Sequence, residues 1–148
     1  MQRTSITLTI AAIASLSFAS LAYAEQPGAH FVENWDLDEN GVVSLADMTE
    51  RRDDIFTTFD ENDDGFITAQ EYVAFDEARA ADMENEKGGH LGGNGKRAQV
   101  GMTMAFNDVD GDGKVSRAEF VGQTAAWLAK MDRNGDGAVT TADFGRGN

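Results

Sequence analysis

Four twelve-residue segments of this 148-residue chain repeat one spacing of oxygen-bearing side chains, and that spacing dictates a loop wound tightly about a point. They begin at Asp36, Asp60, Asp108 and Asp132. Each carries Asp at position 1, Asp or Asn at positions 3 and 5, and Gly at position 6. A β-branched residue follows at position 8, Ser or Thr at 9, and a carboxylate at 12. Side chains at alternate positions of a tight loop converge on its centre. The chain must then turn sharply, and glycine adopts the positive φ this needs without a Cβ clash.

Such a donor set suits a hard cation. Calcium takes six to eight oxygens at roughly 2.3–2.6 Å in a flexible shell. The candidate ligands of the first loop are Asp36, Asp38, Asn40, Val42 through its carbonyl, Ser44 and Asp47. The second loop offers Asp60, Asn62, Asp64, Phe66, Thr68 and Glu71, and the third Asp108, Asp110, Asp112, Lys114, Ser116 and Glu119. The fourth offers Asp132, Asn134, Asp136, Ala138, Thr140 and Asp143. Position 7 contributes only its carbonyl, which leaves its side chain free to vary. The hydroxyl at position 9 is expected to hold a water, and position 12 to close the shell from the first turn of the exit helix.

Two further positions support the repeat. Val43, Ile67, Val115 and Val139 at position 8 are β-branched, as a short strand bridging two loops requires. Met48, Tyr72, Phe120 and Phe144 follow the loops as large apolar residues, suited to a core. An acidic chain produces scattered D-x-D patterns by chance, but not these additional regularities four times.

Thirteen of the 26 acidic residues are loop ligands, three each in loops one, two and four and four in loop three. The formal net charge of −14 opposes binding to nucleic acid or to an anionic membrane. Absence of cysteine excludes disulfides and thiol catalysis, so bound metal is the expected staple. No nucleophile stands beside a base, and the chain is read as a non-enzyme. Met48, Met83, Met102, Met104 and Met131 are read as core residues, and Trp35 and Trp127 as packing aromatics. His30, His90 and the Arg51-Arg52 pair are read as solvated.

The segment from Arg3 to Ala24 is apolar, rich in small residues, and ends in Ala22-Tyr23-Ala24. It predicts a signal peptide over 1–24, and hence an exported protein, periplasmic or secreted, with no membrane contact after cleavage. Helices are predicted over Pro27–Trp35, Leu45–Phe59, Ala69–Glu86, Arg97–Phe106 and Ala118–Met131. Five glycines in Lys87–Lys96 predict a linker between a first unit at 25–86 and a second at 97–148. The connectors Met48–Phe59 and Phe120–Met131 hold twelve residues each, enough for one helix of about 18 Å. Loops one and two therefore sit at opposite ends of one helix, as do three and four. Loop two should pair with three, and loop one with four.

The repeat resembles the EF-hand superfamily, and the export signal and short connectors are similar to bacterial periplasmic EF-hand proteins. That resemblance implies an all-α fold of four helix-loop-helix motifs with strand bridges between paired loops. It implies calcium as the bound ion, a buffer or sensor role, and, for a sensor, a calcium-dependent protein partner. Two alternatives accompany it: a lanthanide binder, as some of these periplasmic proteins are, and a calcium-stabilised interaction module. Lanthanide-type loops carry Pro at position 2 and Asp at position 9. Here Leu37, Glu61, Val109 and Arg133 occupy position 2, and neutral hydroxyls occupy position 9. Cleavage after Ala24 would give a native product starting at Glu25, to be checked by intact mass. A retained N-terminus in the membrane fraction would contradict the export reading.

Overall fold

A computed structural model describes residues 26–85 and 94–145. The expected signal peptide and residues 87–93 of the expected linker lie outside the described residues. The elements are α1 (Ala29–Trp35), α2 (Leu45–Phe59), β1 (Phe66–Thr68), α3 (Ala69–Asn85), α4 (Gly95–Val100) and α5 (Met104–Asn107). They continue as β2 (Lys114–Ser116), α6 (Arg117–Gly122), α7 (Thr124–Met131) and α8 (Thr141–Phe144). Helices predominate, with one small sheet. Among the described residues no helix is long and apolar enough to cross a membrane.

Loop pairing follows the connector argument. β1 and β2 run antiparallel with Ile67 opposite Val115, Phe66 opposite Ser116 and Thr68 opposite Lys114. Val43 and Val139 form a second antiparallel bridge, exchanging two backbone hydrogen bonds of 2.9 Å. Loop two thus meets loop three, and loop one meets loop four. The four bridging residues are fully buried, and Met48, Tyr72, Phe120 and Phe144 lie behind them at 3% exposure or less. Phe31, Phe56, Phe75, Trp127 and Met131 complete one core drawn from both ends of the chain. Each large side chain buried there contributes about 1.5–3 kcal/mol by leaving water.

Two predicted helices are broken, and one side chain accounts for both breaks. Arg52 is fully buried, not solvated as expected from the sequence. Its Nε donates to the Phe120 carbonyl at 2.9 Å, and Nη2 donates to the same oxygen. An uninterrupted helix would give that carbonyl to the Thr124 N–H. Instead Gln123 takes a ψ of −2°, and the expected Ala118–Met131 helix becomes α6 and α7. Bonds from Gln123 N–H to Glu119 and from Trp127 N–H to Gln123 keep the two nearly continuous. Loops three and four therefore still lie at opposite ends of the connector.

The expected Arg97–Phe106 helix is divided in the same way. Arg52 Nη1 donates to the Gly101 carbonyl at 2.9 Å, and Asn107 Nδ2 donates to it at 3.1 Å. The chain closes with i+3 turns at Met102 and Thr103, then restarts α5 behind an extended Thr103. Gly101 is also where backbone meets the indole: a Cβ built there would stand 2.0 Å from Trp127 Cδ1.

Arg52 also donates to the Asn107 amide oxygen at 2.6 Å and to the Met102 sulfur at 3.5 Å, and lies over the faces of Phe120 and Trp127, 4.1 and 5.1 Å from its guanidinium carbon. Burial pulls this guanidinium down to about 10, so it remains charged at neutral pH. Tyr72, which accepts from Asn107 at 3.4 Å, is pushed up by burial to about 12 and stays neutral. His30 is half-buried rather than solvated, with Asn34 Nδ2 2.7 Å from its Nε2 and Asp82 at 3.7 Å.

Arg52→Ala should leave the Phe120 carbonyl and the Asn107 amide oxygen without their buried donor and lower stability by about 3 kcal/mol or more. Arg51→Ala, one residue away and half-buried at the edge of the core with no ion pair among the described residues, should change it by far less, about 0.5 kcal/mol. Urea unfolding of the calcium-loaded protein measures both, and equal effects would contradict the buried-cation account.

Candidate metal centres

Each loop is shaped by hydrogen bonds from its own backbone to its own Asp, Asn and Glu side chains. The position 1 carboxylate accepts from the amides of positions 5 and 6. Asp36 takes Asn40 and Gly41, and Asp60 takes Asp64 and Gly65. Asp108 takes Asp112 and Gly113, and Asp132 takes Asp136 and Gly137. Position 3 then accepts from the amide of position 5, and position 5 from that of position 7, in all four loops. These bonds wind the loop inward and require φ near +85° at position 6. Gly41, Gly65 and Gly113 stand at 85° and Gly137 at 89°.

Position 12 closes every loop. Asp47, Glu71, Glu119 and Asp143 accept from the amide and hydroxyl of the residue three before. Ser44, Ser116 and Thr140 thereby cap α2, α6 and α8 in reciprocal capping boxes. The position 9 hydroxyls, expected to hold a water, are thus bonded to the position 12 carboxylate. The other oxygen of position 12 reaches back to position 2: Glu61 to Glu71, Val109 to Glu119 and Arg133 to Asp143. Asp47 has the equivalent link to Leu37.

The loops differ in what they gather. Carboxylate oxygens of Asp36, Asp38 and Asp47 lie within 4.8 Å of one another, as do those of Asp108, Asp110 and Asp112. Two oxygens on one calcium can stand at most about 5 Å apart, given bonds of 2.3–2.6 Å, so both groups fit a shared ion. In loops two and four an asparagine occupies position 3. Asn62 Nδ2 donates to Asp64 at 3.0 Å and Asn134 Nδ2 to Asp136 at 2.8 Å. Phe66 and Lys114 at position 7 open the paired strands, with the Lys114 ammonium 3.5 Å from the centre of the Phe66 ring. Val42 and Ala138 flank the second bridge. The donors are carboxylate, amide and hydroxyl oxygens with no imidazole or thiolate, which favours calcium or magnesium over softer metals.

Hydrogen-bond donors favour the ionised form that a ligand must take at Asp47, Glu71, Glu119 and Asp132. Glu71 is lowered chiefly by the Thr68 N–H, Glu119 by the Ser116 N–H and Asp132 by the Gly137 N–H. Burial works to raise Asp47, but the Ser44 hydroxyl and amide outweigh it, and its net shift is downward too.

The residues missed by sequence reasoning are Arg52 and Asn107, which tie the loop ends together without being ligands. A signal was present for Arg52: it lies four residues from both Met48 and Phe56, on the apolar stripe of α2.

The EF hand family model matches residues 52–76, 106–121 and 124–147, covering loops two, three and four. These three matches support an EF-hand calcium-binding family. No curated protein and no solved structure matches the chain.

The lowered carboxylates give a pH dependence of definite sign. A group whose folded value is depressed stabilises the fold above its unfolded value, and loses that contribution as pH falls through its folded value. Stability should be flat at neutral pH and fall with acid through the ordinary carboxylate range and below. A Tm series in calcium tests this, and a Tm rising on acidification would contradict it.

Proposed function

We propose that this is an exported calcium-binding protein whose four loops each hold one cation, and that it serves as a calcium buffer or a calcium-dependent sensor. The observation that carries the four-site reading is the hydrogen-bond skeleton. Loop one, outside the matched regions, has the same bonds as loops two to four and the same capping box. It is also bridged to loop four through Val43 and Val139. Support for export comes from the signal-like segment 1–24.

Bound calcium supplies charge neutralisation and a rigid set of oxygen bonds. What the chain itself does follows from the geometry. Position 1 aims one carboxylate by holding it against two amides, positions 3 and 5 add oxygens along the loop, and position 12 joins loop to exit helix. Thirteen like charges held in four loops repel one another, with no disulfide to resist. Occupancy should therefore add folding free energy, about 2.7 kcal/mol per independent site at a hundredfold excess over Kd.

A partner-binding role has one specific observation in its favour. A cavity of about 430 Å3 opens between α1, α2, α3 and α4, with Phe31, Trp35, Ile55, Phe59, Phe75 and Met102 in its walls. A dye specific for exposed apolar surface separates the roles: brighter with calcium for a sensor, unchanged for a buffer.

Calorimetry should find four calcium ions per chain, and three for Asp36→Asn. Wild-type stoichiometry of three with no change in Asp36→Asn would remove loop one from the proposal. Loop three has four carboxylates with a Glu at position 12 and should bind most tightly. Glu119→Gln should therefore abolish the tightest step while Asp47→Asn spares it, and the reverse result would overturn that ranking.

A further inference from the structure

We propose that a basic cleft beside loop four binds a phosphoryl anion. The cleft has a volume of about 540 Å3 and carries Lys96 and Arg97 from α4, Lys130 from α7 and Arg133 from loop four, with Asp132 its one acidic residue. The whole sequence has 12 lysines and arginines against 26 acidic residues, so four cations in one cleft are a strong local reversal of charge. Elsewhere Arg79 pairs with Asp76, Arg117 with Asp53 and Lys114 with Asp112, while Arg52 is satisfied by buried carbonyl and amide oxygens. Among the described residues, none of the four cleft cations forms such a pair.

The walls are fixed from behind. Asn94, fully buried, donates to the Met131 carbonyl at 2.6 Å, and Trp127 Nε1 donates to the Arg97 carbonyl at 3.0 Å. With Gly101 packed against the same indole, α4 and α7 cannot slide apart to separate the charges. The Arg97 guanidinium is held by Asn94 Oδ1 at 3.4 Å, and Arg133 donates to the Asp143 carbonyl at 3.1 Å. Mutual repulsion in the cleft is thus built in, and a multivalent anion relieves it. Arg133 Nη1 also donates to the Gly145 carbonyl, so the Arg97 guanidinium, the remaining N–H groups of Arg133 and two ammonium groups are the donors offered to phosphoryl oxygens. The site lies outside the loop ligand sets apart from Asp132, so the inference does not depend on which ion the loops hold.

The test uses the calcium-loaded full chain and glycerol 3-phosphate, an ester that competes weakly for calcium. Amide NMR should show saturable shifts confined to residues 96–100 and 129–133, weakening with added salt. Lys96→Glu with Lys130→Glu, both exposed, should weaken binding by at least about tenfold. Lys96→Gln with Lys130→Gln repeats the comparison without reversed charges, should the first pair disturb the fold. Sedimentation with phosphatidylglycerol or phosphatidylcholine vesicles separates the sources. Capture by phosphatidylglycerol alone, lost in the variant, makes the ligand a lipid headgroup; binding of the ester without capture makes it a soluble phosphate. The proposal is overturned if wild type shows neither saturable shifts nor capture, or if binding survives both double variants.

Discussion

Antiparallel contact between loops distant in sequence is the constraint on which the rest of this structure depends. Twelve residues between loops one and two, and twelve between three and four, leave room for one helical run of about 18 Å in each case. Strand partners must stand about 4.8 Å apart. Neighbouring loops therefore cannot bridge, and each half must find its partners in the other. Ile67 against Val115 and Val43 against Val139 are the result. Everything apolar behind those bridges follows, because the position 13 residues and the aromatics of α1, α2 and α7 can only meet once the halves have closed on each other.

Arg52 supplies the polar counterpart. A buried cation with no carboxylate partner is costly unless its donors are satisfied. Here they are met by carbonyls of Gly101 and Phe120 and by the Asn107 amide. Those acceptors lie at the C-terminal end of α4, just after loop three, and just before it. The side chain between loops one and two thus grips both sides of loop three.

Much of this was legible in the sequence because the loops are local objects. Asp, Gly and hydroxyl positions within twelve residues determine the turn and the exit helix, and α2 runs from Leu45 to Phe59 as its apolar spacing predicts. Pairing was legible too, since it follows from connector length. Helix continuity was not. α4 and α5 part at Gly101, and α6 and α7 at Gln123, because a guanidinium 49 and 68 residues away in sequence takes the carbonyls there. Propensity within a segment holds no record of that competitor. The basic cleft was equally hidden, as Lys96, Arg97, Lys130 and Arg133 are brought together only by the packing of α4 on α7.

Backbone NMR contacts in the calcium-loaded protein test the central claim most directly. The account predicts close approach of Val43 to Val139 and of Ile67 to Val115. Close approach of Val43 to Ile67 would contradict it, since loops one and two could meet only if α2 were not a helix.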